Sequence, residues 1–520
     1  MLHLSKNNIM FIKRTSYISI SLTIFFLFLI RLIDIYLDSN PKFITVIPDD
    51  AFYYLQLAKN FSLYGKWTFD GETTTTGFHP LWAYLLTVFF SGGSSLFEFR
   101  TIFLIIGIFS SLLISFSIYI ILIINENLFD KRSALISISP FLIYPALMQS
   151  TSLMEAPLVI FIAANLVYFI ISDSTDRIKL LSLLLIGICG SLARSDFIVF
   201  LGFFCLSLLG LSLFDKNLYK INKFKILKAS AAMLGSIIGL GLLILHNFAI
   251  SEKLSQGSAE IKYFWSHVTG HNPIPAFKLL LSLAFPIPIN IFIGLIIFLI
   301  LLLILLIKFK KFSPLQIVFI ISSVASIFSY LILLTFNSAS IQSWYVSNLI
   351  IPLSFIFASL VFISTIKFRT SIVIAAMYLI SGFYYSNMHV ERQQVGMLNA
   401  AIYLKNNTLV DKVYGSWNAG IIGFFSHRTV INLDGLVNDN AIPYIKNNNL
   451  WDYIISNNID FIVDYEEMFT NLPPWYLQKR GGHQDIRFHR CLKRGQVIDG
   501  GAIPWMSLPL RIYEVDKQCK

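Results

Sequence analysis

The chain of 520 residues is 56% hydrophobic and only 13% charged, with a mean hydropathy of +0.69. Its apolar runs exceed what a soluble core of this size would bury, so a water-soluble globular protein is excluded and an integral membrane protein remains. The net charge of +11 does not point to nucleic acid, because Lys and Arg fall in short clusters between apolar runs, where they set topology and meet anionic headgroups.

Lys6, Lys13 and Arg14 precede the first apolar run, which is long and lacks a small-residue cleavage site, so it reads as an uncleaved first span. Runs suited to about 30 Å of hydrocarbon, roughly 20 helical residues each, lie near 17–37, 100–124, 133–149, 157–172, 180–194, 197–213, 229–250, 284–307, 315–335, 345–366 and 371–387. The fold class expected is a polytopic α-helical membrane protein with about eleven transmembrane helices. One further run, 80–90, would reach only about 16 Å at 1.5 Å per residue and reads as interfacial or re-entrant.

Counting that run as a span would invert every later loop, and the positive-inside rule decides against it. Without it, the N-terminus and the loops holding Lys131 and Arg132, Arg177 and Lys179, Lys216 to Lys228, Lys308 to Lys311, and Lys367 with Arg369 all face the cytoplasm. The opposite loops are poorer in Lys and Arg. The segment 48–82, Glu155, Arg194, the 251–283 loop and the C-terminal tail then lie outside. From about Glu391 short strand-like and helix-like segments alternate, which predicts a transmembrane domain over 1–390 and an extracytoplasmic α/β domain over 391–520. Cys189 and Cys205 lie in apolar runs, whereas Cys491 and Cys519 can form a disulfide if the tail is extracytoplasmic.

Pro48, Asp49 and Asp50 have the pattern of a helix start, and Gly65 that of its stop. Ala51, Tyr54, Leu55, Ala58 and Phe61 share one apolar face, opposite Gln56, Lys59 and Asn60, which suits a helix at the membrane surface with both carboxylates at an exposed tip. These acids read either as a capped helix end or, given their external position, as site residues. His79 at the mouth of the short run suits a phosphate oxygen, a metal or interfacial anchoring. Glu155 and the Arg194–Asp196 turn occupy tight external loops, where a lone charge requires solvent or a partner. Arg31 and Asp34 have the spacing of a local pair. His246, Lys253, His267 and His271 could meet an anion, but their spacing specifies no zinc site.

Asp49-Asp50-Ala51-Phe52-Tyr53-Tyr54 with Ala58 and Gly65, Gly77-Phe78-His79-Pro80-Leu81-Trp82, Met154-Glu155, and Ala193-Arg194-Ser195-Asp196 together resemble the bacterial branch of the GT-C glycosyltransferases. That superfamily includes protein O-mannosyltransferases and lipid A aminoarabinose transferases. Trp417-Asn418-Ala419-Gly420 and Asn432-Leu433-Asp434-Gly435-Leu436-Val437 are also similar to segments of bacterial relatives, while Ser195 departs from a common proline. The resemblance implies a multi-pass enzyme of the bacterial inner membrane. It would move a sugar from a polyprenyl-phosphate carrier to an envelope glycan, lipid or protein acceptor on the external face, inverting the anomeric centre. It assigns the base to Asp49, with Asp50 as neighbour or substitute, and His79 and Arg194 to the departing phosphate. Glu155 takes the place of a second acid that contacts acceptor or metal; a divalent cation is compatible with this arrangement, and the motifs specify none. Membrane lipids and a lipid-linked donor are the partners implied. A lipid-linked-glycan translocator and an envelope glycan polymerase are the competing readings; the former would bury charges mid-helix along a path, often in repeated halves.

Overall fold

The computed structural model describes residues 6–37, 42–90, 99–172, 177–214, 216–337, 341–465, 468, 486–498 and 509–519. Each apolar run named above carries helix. Among the described residues five helices are long and apolar enough to cross a membrane: Thr15–Leu37, Phe99–Leu128, Lys223–Ser251, Pro314–Asn337 and Ser343–Ile363. A sixth span would join Lys131–Phe141 to Tyr144–Ser150 across a bend of 69°. That run contains Pro140 and Pro145, which interrupt the helical hydrogen-bond ladder. Expectation and structure differ in length: Ala156–Ile171, for example, has 16 residues, and reaches only about 24 Å at 1.5 Å per residue. Ile291–Ile307 shows how the surface meets its solvent. Phe292, Ile296, Leu299, Leu303 and Ile307 are all exposed on it, an apolar face that hydrocarbon can cover and water cannot.

The segment between the first spans forms the helix Asp49–Tyr64, with Pro48 extended before it and Gly65 left-handed (φ 67°) after it. Gly65 donates its N–H to the Phe61 carbonyl at 2.8 Å, closing the last turn as expected for a C-terminal glycine. Asp70 orders the next turn by accepting from the Thr68 hydroxyl at 2.9 Å and from the amides of Glu72 and Thr73 at 2.9 and 2.8 Å. Pro80–Phe90 is an 11-residue helix.

Past His389 the chain forms the helix Gln394–Asn407 and a five-stranded sheet of β1 (Val413–Ser416), β2 (Thr429–Asn432), β3 (Phe461–Tyr465), β4 (Leu492–Ile498) and β5 (Leu510–Val515). The order is β2-β1-β3-β5-β4; β1 runs parallel to β2 and β3, whereas β5 is antiparallel to β3 and β4. The helix Ala419–Ser426 connects β1 to β2, the crossover that a parallel pair requires. Cys491 and Cys519 are disulfide-bonded, tying the start of β4 to the segment after β5.

The Asp49–Tyr64 helix does not lie on a membrane surface with one face in water. Phe52, Tyr53, Leu57 and Asn60 are buried along with Ala51, Tyr54, Leu55 and Ala58, because the C-terminal region covers the side opposite the spans. Phe52 meets the rings of Phe424 and Phe425 at 5.7 and 5.5 Å, and the Tyr53 hydroxyl donates to the Trp417 carbonyl at 3.3 Å.

Candidate functional site

Two smaller cavities each share wall residues with a larger one beside the Asp49–Tyr64 helix. The largest, about 570 Å³, is lined by Asp49, Asp50, Lys262, Gln394, Asn418 and Asp434 among others. A chamber of about 60 Å³ shares Asp50, Tyr53 and Lys262 with it and extends to His79, Glu155 and Arg194. A third cavity of about 440 Å³ adjoins the first at Tyr144, Lys278, Ser282 and His389 and is otherwise walled mainly by apolar residues, including Leu281, Phe285 and Ile291, with Asn290 and Tyr385 among them. Asp49, Asp50, His79, Glu155 and Arg194, separate in sequence, therefore line two adjoining spaces.

The two aspartates are held differently. Asp49 accepts the N–H of Ile421 at 2.7 Å and of Gly420 at 3.2 Å, so its carboxylate sits on the N-terminus of the Ala419–Ser426 helix, where unpaired amides and the helix dipole favour an anion. Only glycine fits at 420: a Cβ there would lie 2.2 Å from the Asp49 carbonyl oxygen. Burial nevertheless pushes the Asp49 carboxyl up to about 7, against the lowering effect of the Ile421 amide. No hydrogen bond among the described residues reaches the Asp50 carboxylate, which lines both the large cavity and the chamber. Burial raises its pKa, with Lys262 opposing and Glu155 reinforcing. The expected exposed tip is thus covered, on Asp49's side by a helix that the local sequence around residue 49 gives no reason to place there.

Glu155, Arg194 and Asp196 form one buried cluster. Arg194 donates to Glu155 Oε1 at 2.6 Å and grips Asp196 through Nε at 3.0 Å and Nη2 at 2.8 Å, while Tyr330 donates to Asp196 at 3.2 Å. The Arg194–Asp196 turn therefore holds a local ion pair that also reaches across to Glu155. The neighbouring guanidinium holds Asp196 down to about 2 despite burial. Glu155 lines the chamber and is 1% exposed, and its Oε2 has no hydrogen-bond partner among the described residues. His79 lies 3.9 Å from Glu155 Oε1, with its backbone N–H donating to the Tyr54 hydroxyl at 3.2 Å. Burial lowers its pKa to about 4, which keeps the ring neutral near pH 7 and makes it a hydrogen-bonding group rather than a cation.

The cation facing Asp50 is one the motifs did not single out. Lys262, on the helix Gly257–Thr269 of the 251–283 loop, donates to the Tyr345 hydroxyl at 3.2 Å, and Arg194 lies over the same ring at 5.1 Å. The external placement of that loop was the available signal; the pairing with residues 50 and 345 is long-range. The Thr73–Thr76 run joins the first loop to the C-terminal region. Asp439 accepts from the hydroxyls of Thr75 and Thr76 at 2.8 and 2.7 Å and from the Thr76 amide, and Lys253 donates to the Asp439 carbonyl at 2.9 Å. Gly77 follows because a Cβ there would stand 1.7 Å from the Leu436 carbonyl oxygen. His246 contacts the Tyr84 hydroxyl at 3.4 Å, and His267 and His271 face each other with ring centroids 4.9 Å apart. Arg31 bonds to Ser386 while Asp34 meets Lys42 at 3.5 Å, so the local pair expected between them is replaced by two other contacts. Among the described residues no three His, Cys, Asp or Glu side chains converge as a metal-holding group.

Two crystal structures of ArnT from Cupriavidus metallidurans, one bound to undecaprenyl phosphate and one in the apo state, are similar to this chain with a TM-score of 0.57 and 10% identity. The likeness covers 96% of this chain and 97% and 98% of those. The chain therefore shares the fold of ArnT. Archaeal oligosaccharyltransferase AglB from Archaeoglobus fulgidus, in complex with an inhibitory peptide and a dolichol-phosphate, is similar with a TM-score of 0.50 and 12% identity over 96% of this chain and 77% of that one. At such identities the likeness shows the fold alone. Residues 386–496 match the model of a domain of unknown function, DUF8728. No curated protein matches the sequence.

Proposed function

We propose that this protein is a multi-pass glycosyltransferase of the bacterial inner membrane that takes a sugar from a polyprenyl-phosphate carrier and transfers it, at the external face, to an envelope acceptor. The observation that carries this reading is the adjacency of two cavities: a space lined by the Asp49–Asp50 pair and Lys262 adjoins, across Tyr144, Lys278, Ser282 and His389, a mainly apolar space walled by Leu281, Phe285 and Ile291. A ligand with a charged head and a hydrocarbon tail matches that change of lining. Both ArnT, bound to undecaprenyl phosphate, and AglB, bound to dolichol-phosphate, have structures with such lipids. The division into domains 1–390 and 391–520, about eleven crossings, a cytoplasmic N-terminus and an external C-terminal domain belong to the same proposal. The Cys491–Cys519 disulfide supports the external placement, since such bonds persist in oxidising compartments.

In the reaction a carboxylate of the pair takes the proton of the acceptor hydroxyl as its oxygen attacks the anomeric carbon. The bond from that carbon to the phosphate oxygen breaks on the opposite face, inverting the centre and releasing polyprenyl phosphate. Lys262, with Lys278 at the junction with the apolar cavity, meets the charge left on the phosphate. Arg194, already engaged by two carboxylates, and neutral His79 orient groups in the chamber. The test is to incubate the purified protein in lipid nanodiscs with a panel of undecaprenyl-phosphate-linked sugars and follow donor consumption. Consumption by wild type that disappears when Asp49 and Asp50 are both replaced by Asn is expected; equal consumption by the double variant would refute the site. A periplasmic reporter fused after residue 520 should be active, and inactivity there would overturn the topology.

A further inference from the structure

We infer that the two adjacent aspartates divide the work: Asp50 is the group that takes the acceptor proton, and Asp49 is a positioning residue that fastens the C-terminal domain over it. The inference rests on the glycosyltransferase reading for the reaction and on geometry for the division. Asp49 has both carboxylate oxygens on backbone amides of one helix, Oδ1 with Ile421 and Oδ2 with Gly420, and the backbone of Gly420 is pressed against its own. An acid held this way has each oxygen committed to a backbone amide of the helix, although the residue also lines the large cavity. Asp50 is the next residue in the helix, so it points about 100° around the axis from Asp49. Its carboxylate, without a hydrogen bond among the described residues, faces both the large cavity and the chamber, with Lys262 as its nearest named countercharge.

The same docking carries the rest of the cover. Tyr53, one turn along from Asp49, donates to the Trp417 carbonyl and accepts from the Asn432 amide at 3.3 Å, and Asp464 accepts the amides of Trp417 and Asn418 at 2.8 and 3.0 Å. Asn418 and Asp434 thereby form part of the cavity wall opposite Asp50. Releasing Asp49 would loosen that wall without removing the base; neutralising Asp50 would remove the base without loosening the wall.

Conservative substitution separates the roles. An asparagine at 49 keeps an oxygen that accepts the Ile421 N–H, whereas an asparagine at 50 cannot take a proton. Full-length wild type, Asp49→Asn, Asp49→Ala and Asp50→Asn in nanodiscs are compared by donor consumption with undecaprenyl-phosphate-linked sugars and by hydrogen exchange over residues 417–423. Asp50→Asn is expected to lower kcat by about 10²–10⁴-fold with exchange unchanged. Asp49→Asn should stay within about tenfold of wild type, and Asp49→Ala should speed exchange by about tenfold or more, the loss expected when a charged acceptor leaves two amides. Turnover retained by Asp50→Asn, turnover lost as fully in Asp49→Asn, or unchanged exchange in Asp49→Ala would each overturn the division. If wild type consumes none of the donors and does not bind undecaprenyl phosphate, the glycosyltransferase reading fails; exchange that rises in Asp49→Ala alone still supports the positioning role, and its absence still removes it.

Discussion

The Glu155–Arg194–Asp196 cluster and the Asp49–Asp50 pair lie around two adjoining spaces, and they handle buried negative charge in opposite ways. In the cluster a single guanidinium is shared by two carboxylates, with Tyr330 adding a further bond. In the pair one acid is met by backbone amides and the other by the field of a lysine alone. A closed arrangement of this kind fixes the positions of helices, because each charge is desolvated only if the others are in place. An open one costs stability and leaves an ionisable group available for chemistry.

Removing the centre of the closed cluster should have the largest effect. Arg194→Met leaves two acids buried without their partner, and a loss of about 3–5 kcal/mol is expected, seen as a strongly lowered thermal midpoint in detergent or as failure to accumulate in the membrane. Asp439→Ala should come next, since it abandons the Thr75 and Thr76 hydroxyls and the Thr76 amide at the far end of the loop. About 2 kcal/mol for buried donors left unmet would appear as faster proteolysis between the membrane helices and the C-terminal domain, and unchanged proteolysis would show that Asp49 and its helix suffice for docking. Lys262→Ala, which removes the cation opposite Asp50, should weaken undecaprenyl phosphate binding by about tenfold while stability changes little, because the lysine is only partly buried; a pure stability loss would move Lys262 from the open group to the closed one.

A further effect concerns pH. His79, held near 4 by burial, binds fewer protons in the folded chain than in the unfolded chain between about pH 4 and its usual value of 6.5. Stability should therefore rise with pH through that window. His79→Gln should flatten this slope in thermal unfolding measured from pH 4 to pH 7, and an unaltered slope would mean that the ring is solvated.

The sequence discloses these two groups unequally. Hydrophobic runs and basic clusters predict membrane helices because each signal is local, and the start and stop of the Asp49–Tyr64 helix are legible from Pro48, the two acids and Gly65. Glu155, Arg194 and Asp196 are recognisable as charges that need partners, and Arg194–Asp196 is within reach along the chain. The satisfaction of Asp49 by Gly420 and Ile421, of Thr75 and Thr76 by Asp439, and the approach of Lys262 to Tyr345 and Asp50 depend on tertiary contacts between segments far apart in sequence. Periodicity carries no information about such contacts. It also misplaced the outer side of the first-loop helix, since Gln56, Lys59 and Asn60 look as suited to water as to a protein cover. Crossing number is limited for another reason: a helix of 16 or 17 residues, such as Ala156–Ile171 or Ile291–Ile307, is apolar enough for a membrane but short for a full crossing on composition alone.

The clasp between Asp49 and Gly420 joins residues 371 positions apart. At about 5–20 residues per second, the ribosome needs roughly 20–75 s to make the intervening chain. During that interval the acid pair is already in place with nothing over it, and the cavity has no second wall. Completion of the site is therefore tied to synthesis and delivery of the final domain. A chain that stops before residue 419 holds the pair and its membrane helices yet lacks the amides that bind Asp49, so an unfinished product carries these side chains without the wall that encloses them.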